Sequence, residues 1–365
     1  MDNRNQNTFT DYTDKFIKSR KFRVAPSTLV NNKCKARALK RYFGETLISD
    51  ICHSDILDLF DDLHERYANK TINEFMTVLR GTFKHAASDG AIGVSPMLDV
   101  KNFKACKVEP KPFSKAELNS LHSTHGCLHG KHALMLNVLT GVRISELIAL
   151  TWEDIDLKRK EMFVRRAKVL CDYKTPKTEE SIRKVELNEL AIQVLLKQLK
   201  LSGHKAARKI SVLQSDNKSR IKEHLQFVFY NSQTDAPFIH AAQFNKTFFK
   251  PFLEKAGVEH RGAGQLRHTF ASQNLTAGIS KEWIARQMGH SDTAMVDKHY
   301  GKWIAVDSPD YASASARNLS STFDMKVSEP VSVTEISSEF VALIQALQAK
   351  PELLTLVQTL VGSPS

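Results

Sequence analysis

The sequence predicts a mainly α-helical chain with a small β-sheet, an α+β protein, built as an N-terminal helical bundle, a larger mixed domain and a tail. Three observations predict this. Apolar residues recur at three- and four-residue spacing through the first 105 residues. A basic, proline-bearing stretch without periodicity, Val100–Phe113, interrupts that pattern. Beyond it, short β-like runs are set between helical patterns. The 365 residues suit two domains and an appendage. The boundaries fall at 1–105 for the bundle, 106–113 for a linker, 114–305 for the mixed domain and 306–365 for a loop with an amphipathic helical tail.

Each element has a local reason. The first helix carries Phe9, Tyr12 and Phe16 on one face. The second is expected to start at Ser27, a natural N-cap, and to end at Phe43, with Gly44 beyond. The third starts at Ser54 and carries Ile56, Leu57, Phe60 and Leu63. The fourth follows Thr71, carries Phe75, Val78, Leu79 and Phe83, and is ended by Gly90 and Gly93. Ser114 and Glu117 form a capping-box pattern that opens the mixed domain. Helices are expected over Ala133–Leu139 and Ile144–Leu150. Strands are expected at Met162–Arg165 and Ile182–Leu187, joined by a charged turn with Lys174, Pro176 and Lys177, and a third at Phe227–Tyr230. Asn188 caps another helix. From Ala241 onward the pattern is helical, over Phe244–Ala256, Gln265–Ala277, Lys281–Met288 and Thr293–Tyr300. After a Ser/Ala-rich stretch, Phe340, Leu343, Ile344, Leu347, Leu353, Leu354, Val357 and Leu360 recur at helical spacing.

Composition narrows the classes of function. No apolar run is long enough to span a bilayer, so no membrane partner is expected. The N-terminus lacks the apolar core of a signal peptide, and a cytoplasmic protein is expected. Five scattered cysteines, none in a CxxC, argue for reduced thiols. The net charge is +12, which attracts polyanions. Its distribution says more than its size. Lys15, Lys18, Arg20, Lys21, Arg23, Lys33, Lys35, Arg37, Lys40 and Arg41 follow one another with no acid between them. Residues 321–365 carry two lysines against five acids. A solvated basic face is the plain alternative; in a chain that also carries the motifs that follow, the ten cations are expected to contact DNA phosphates.

Three distant segments carry chemistry: TGVRISEL with Arg143 and Glu146, QLRHTFAS with Arg267, and MGHS with His290, followed ten residues later by Tyr300. Together they offer two guanidiniums, an imidazole and a phenol. Two Arg forks hold the non-bridging oxygens of a phosphodiester and neutralise charge as the pentavalent state forms. A tyrosine makes a covalent link that preserves the phosphodiester energy without ATP. Its unperturbed pKa of about 10 requires nearby cations or a base, and the leaving 5′-oxygen requires an acid such as a lysine. Taken singly, Arg143 could merely pair with Glu146, His290 could end a helix, and Tyr300 could be packed before a turn. The histidines and cysteine at His122, His125, Cys127, His129 and His132 fit no standard zinc module, and no metal is assigned.

The three segments, in this order, closely resemble the tyrosine recombinase (phage integrase) family over roughly Pro112–Trp303. The bundle resembles that family's core-binding, SAM-like domain. The resemblance implies that Arg143 and Arg267 clamp the phosphate, that His290 hydrogen-bonds it, and that Tyr300 forms a 3′-phosphotyrosyl link. The segment PKTEESIRKVEL resembles the family's β-hairpin, in which a lysine precedes Thr and a Ser-x-Arg follows. This implies Lys177 as general acid, with Lys174 as the alternative, and Glu146 as support for the first arginine. The family's usual histidine three residues before the second arginine is Gly264 here, with Gln265, His260 and His268 nearby.

The resemblance implies a site-specific recombinase or integrase of a mobile genetic element, acting on double-stranded DNA without cofactor, metal or ATP. It implies a C-shaped clamp and a homo-tetramer on two DNA sites, with an accessory protein as a further partner. The chain begins almost at the core-binding domain, which leaves little room for an arm-binding domain. A type IB topoisomerase-like activity and a catalytically weakened DNA-binding regulator are the competing readings. The tail, Phe340–Leu360, is expected either to dock on a neighbouring protomer or to bind another protein.

Overall fold

The computed structural model describes residues 7–106, 109–176, 182–300 and 315, with side chains of the last helix described as far as Asp297. Lys177 and the expected tail helix lie outside the described residues.

Four helices open the chain: α1 (Phe9–Arg20), α2 (Pro26–Phe43), α3 (His53–His64) and α4 (Asn69–Ser88). A capping box between Thr8 and Asp11 starts α1. Helix α2 differs from expectation: Ala25 is its N-cap, and Pro26 at the first position starts it with φ already set, so Ser27 is inside the helix. Helix α4 starts at Asn69, before Thr71, and Gly90 turns the chain away with φ +73°. The inward residues Phe9, Tyr12, Leu39, Ile56, Phe60, Phe75, Leu79 and Phe83 form one apolar core.

The stretch that follows is tied down at each of its described ends. Arg80 donates to the Val100 carbonyl and to Asn102 Oδ1, both at 2.7 Å, and Asn73 and Asn69 bind the backbone at Phe103 and Lys104. At the far end the Lys111 N–H donates to Gln265 Oε1 and the Phe113 N–H to Thr269 Oγ1, each at 2.9 Å. Arg261 donates to the carbonyls of Lys111 and Pro112, pairs with Glu117 and lies over the Phe113 ring.

The second part begins with α5 (Lys115–Ser123), opened by the expected Ser114–Glu117 capping box. Then come α6 (Leu128–Thr140) and the single turn α7 (Ile144–Leu147). The helix expected to reach Leu150 stops at Leu147. Beyond it the chain runs into sheet-like contacts, with the Val228 N–H on the Leu150 carbonyl and the Trp152 N–H on the Gln226 carbonyl. Strands β1 (Ile155–Asp156), β2 (Glu161–Val164) and β5 (Arg183–Glu186) form an antiparallel sheet in the order β1-β2-β5, with Val164 opposite Arg183.

The expected charged turn between β2 and β5 contains a hairpin of its own, β3 (Ala167–Val169) and β4 (Asp172–Lys174), turned at Leu170 with φ +53°. Strand β4 pairs in parallel with β6 (Arg208–Leu213), which pairs with β7 (Arg220–Leu225). The third strand expected at Phe227–Tyr230 is only a bridge at Phe227 to Thr151 and a two-residue strand β8 (Tyr230–Asn231) paired with β9 (Ala236–Pro237).

Helix α8 (Glu189–Ser202) lies between β5 and β6, capped by the Asn188 side chain as expected. The helix expected over Phe244–Ala256 is three pieces: α9 (Ala241–Phe244), a π turn at Asn245–Phe249, and α10 (Lys250–Lys255). Pro251 has no N–H to offer the carbonyl four residues back, and the helix widens before it. The chain then forms α11 (Gln265–Thr276), α12 (Lys281–Met288) and α13 (Ala294–Tyr300). A core of Leu134, Leu147, Val164, Val185, Leu195, Phe249 and Leu266 joins helices and sheet, and Phe270, Ile284, Met288 and Val296 pack α11, α12 and α13 together. No helix among the described residues is long and apolar enough to cross a membrane.

Candidate active site

The site is assembled from four places in the chain. The first is the end of α6. Gly141 closes that helix in the left-handed conformation, φ +65°. A Cβ there would lie 2.3 Å from the Phe270 ring, so glycine lets α6 and α11 touch. Two residues on, Arg143 caps α7. Its backbone N–H donates to Glu146 Oε2 and its Nη1 to Glu146 Oε1, both at 2.9 Å. The Arg143 side chain is 45% exposed, whereas that of Glu146 is 5% exposed. The pairing expected of a merely structural Arg143 is therefore present. It uses one edge of the guanidinium and leaves the rest of that group facing outward.

Arg267 comes from the first turn of α11 and is buried. Its Nη1 donates to the Gly141 carbonyl and its Nη2 to the Met288 carbonyl, both at 2.7 Å. The same Nη2 is 2.8 Å from His290 Nε2. The arginine thus fastens the end of α6 to the end of α12.

Helix α12 ends in a Schellman turn, with the His290 N–H on the Ala285 carbonyl, the Gly289 N–H on the Arg286 carbonyl, and Gly289 at φ +69°. The turn presents the imidazole to the arginines. Since Arg267 donates to Nε2, the neutral ring carries its proton on Nδ1. That Nδ1 is buried and has no hydrogen-bond partner among the described residues. Burial, then the charges of Arg267, Arg143 and Arg183, push the imidazole down to a pKa of about 4, with Asp292 acting in the opposite sense. His290 is therefore neutral at pH 7.

The residue roles expected from the sequence do not include Arg183. It is buried, and it is the first residue of β5. Its Nη2 and Nη1 donate to the two oxygens of Glu146 at 2.8 and 3.3 Å, and its Nε to the Gln287 carbonyl at 2.9 Å. Burial alone would raise the Glu146 pKa, but the charges and hydrogen bonds of Arg183 and Arg143 outweigh it and hold the carboxyl below its ordinary value. A Cβ on Gly289 would lie 2.7 Å from Arg183 Cδ, which accounts for the glycine of the MGHS segment. The sequence signal for Arg183 is the Ser-x-Arg pattern ahead of β5, which marks the residue without giving it a role.

Of the other expected residues, Tyr300 is the last residue of α13, whose earlier Val296 is buried against α11 and α12. Lys174 ends β4, close to Thr175, Gln214 and Arg23 around a cleft of about 360 Å³. At Gly264 a Cβ would meet nothing within 4 Å. Gln265, a candidate to replace the absent histidine, instead holds the Lys111 backbone.

The ten basic residues fall on α1, α2 and the turn between them. Lys15, Lys35 and Lys40 pair with Asp89, Glu74 and Asp14. Arg20 is half-buried against the Phe16 ring. Lys18, Lys21, Arg23, Lys33, Arg37 and Arg41 are exposed. Within the histidine-rich stretch, His132 and His129 both bind the Gln198 side chain, joining α6 to α8.

The family model described as the phage integrase family matches residues 114–303. The prophage integrase IntR of Escherichia coli (strain K12) is 31% identical over 317 residues, covering 81% of this chain and 76% of that protein. Among solved structures, the Tn1549 transposon integrase in complex with a circular intermediate DNA superposes with a TM-score of 0.66 at 22% identity, covering 86% of this chain and 99% of that one. A lambda integrase dimer bound to a core site superposes with a TM-score of 0.62 at 16% identity, covering 81% and 78%. These structures share the fold, and the sequence matches give the lineage: the chain belongs to the phage integrase family of tyrosine recombinases.

Proposed function

We propose that the protein is a site-specific integrase that cleaves and rejoins duplex DNA through a 3′-phosphotyrosyl intermediate at Tyr300. The observation that carries this reading is the meeting of Arg143, Arg267 and a neutral His290 at the junction of α6, α11 and α12. The His290 Nδ1 proton lacks an acceptor among the described residues, and a phosphate oxygen is the acceptor that fits.

In this reading the outward edge of Arg143 and the Arg267–His290 pair receive the non-bridging oxygens. The Tyr300 oxygen attacks phosphorus, the bond to the 5′-oxygen breaks, and Lys177 gives that oxygen its proton. Cations around the phosphate favour loss of the phenolic proton. Rejoining runs the same steps in reverse, with a 5′-hydroxyl displacing Tyr300.

Residues 1–105 act as the core-binding domain and 114–305 as the catalytic domain. Two observations support that division: the buried residues of one apolar core end at Met97, with Val100 and Phe103 packed against it, and another core begins at Phe113. The exposed cations of α1 and α2 take DNA phosphates, and four copies assemble on two sites. A lambda integrase tetramer bound to a Holliday junction has the same fold, with a TM-score of 0.62. The test is an incubation with nicked duplexes in EDTA, followed by a denaturing gel. Wild type is expected to give a protein–DNA adduct and Tyr300→Phe to bind DNA without one. An adduct from the variant overturns the assignment.

A further inference from the structure

We propose that Arg183 is a positioning residue of the cleavage reaction, setting both the charge and the geometry of the phosphate site from behind it. The proposal rests on the reading of the site as a phosphate-cleaving centre. Arg183 touches two parts of that site at once. It holds the two oxygens of Glu146, the carboxylate that orients Arg143. It holds the Gln287 carbonyl in the last turn of α12, which delivers His290. It also begins β5, six positions after Lys177 in the sequence. The Gln287 side chain reinforces this joint by accepting the Glu186 N–H at 3.1 Å.

The charge argument is separate from the geometric one. A buried carboxylate paired only with Arg143 would cancel the charge that Arg143 offers a phosphate. With Arg183 on its other side, Glu146 is shared by two guanidiniums, and the site keeps an excess of positive charge. Four donors then occupy the carboxylate: the N–H and Nη1 of Arg143, and the Nη1 and Nη2 of Arg183. Glu146 is left little freedom to rotate toward the substrate. A lysine in this place would keep the charge and lose the fork. Glutamine would lose both.

The experiment compares wild type, Arg183→Lys and Arg183→Gln in full-length protein. One arm measures single-turnover cleavage of a nicked duplex, with DNA affinity measured alongside. Arg183→Gln is expected to cleave about 100-fold more slowly and Arg183→Lys about 10-fold more slowly, as for loss of a charge-stabilising group. Affinity should change less than about threefold, because Arg183 is buried behind the groups that meet DNA. The second arm follows the His290 ring by NMR from pH 7.5 to 4.5 without DNA. The groups that act on this ring are Arg267, Arg143, Arg183 and Asp292. Wild type and Arg183→Lys should stay neutral through most of that range, and Arg183→Gln should protonate at higher pH.

Should Arg183→Gln not fold, Gly289→Ala displaces the same guanidinium from the loop side, and the same loss of rate is expected. A folded Arg183→Gln that cleaves within about twofold of wild type, or whose His290 titrates as in wild type, overturns the proposal. If wild type itself gave no adduct, the phosphotyrosyl reading would fail, and the His290 titration would still decide what Arg183 does.

Discussion

Arg143 and Arg267 occupy unlike settings, and their replacement should fail in unlike ways. Arg143 is half in solvent on one helical turn, so Arg143→Ala should fold normally and lose cleavage by about 10²–10³-fold, roughly 3–4 kcal/mol of barrier. Arg267 joins α6 to α12 through two carbonyls, so Arg267→Ala should lose a similar factor in rate and also melt at lower temperature. Thermal melts beside single-turnover cleavage check both statements. Glu146→Gln leaves Arg183 buried without its counter-charge and should cost about 3 kcal/mol of folding stability, read by chemical denaturation. His290 gives a pH signature. The unfolded imidazole takes a proton near its ordinary value and the folded one only near 4, so acidification between those values favours the unfolded state. Wild type should therefore lose more stability across that window than His290→Asn, and equal losses would contradict the buried neutral ring. At this scale the sequence was informative about Arg143, Arg267 and His290, because each lies in a short motif with a glycine or a cap beside it. It marked Arg183 through the Ser-x-Arg pattern but gave it no role, because the partners of that residue are 37 and 104 positions away.

Helix ends, rather than helix interiors, bring these groups together, and the elements that were legible are those with local end signals. The Ser114–Glu117 box, the Asn188 cap and the glycines after α6 and α12 all act as their residue types predict. The hairpins β3–β4 and β6–β7 were not legible. Strands β6 and β7 place Arg208, Lys209, Arg220 and Lys222 among their apolar residues, and the pairing of β4 with β6 is non-local. The π turn was missed for a different reason: the apolar spacing over Phe244–Phe252 is helical, and only Pro251 hints at the break. Gly289→Ala tests the end-turn account. It should destabilise the fold by about 1–2 kcal/mol from backbone strain, and slow cleavage by more than that loss explains. Gly264→His tests the opposite case. The position is open, so the variant should fold as well as wild type, measured by its melting temperature.

Among the described residues, the core of the bundle and the main core of the mixed part are joined by a stretch fastened to α4 on one side and to α11, the Arg267 helix, on the other. Charge on the bundle sets the expected DNA response. Lys33, Arg37 and Arg41 recur every four residues along α2, one exposed stripe. Replacing all three with glutamine should reduce the salt slope of DNA binding by as much as about 3, near 0.9 for each phosphate that is no longer neutralised. An unchanged slope would place the DNA elsewhere. The role of residues 321–365 lies outside the described residues, and their removal should abolish tetramers on DNA if the tail docks between protomers. The most direct test of the central claim is to trap the covalent complex on a phosphorothiolate duplex, digest it with a protease, and locate the modified residue by mass spectrometry. The account predicts a nucleotide joined through its 3′-phosphate to Tyr300. A 5′ linkage, or an adduct on another residue, would contradict it.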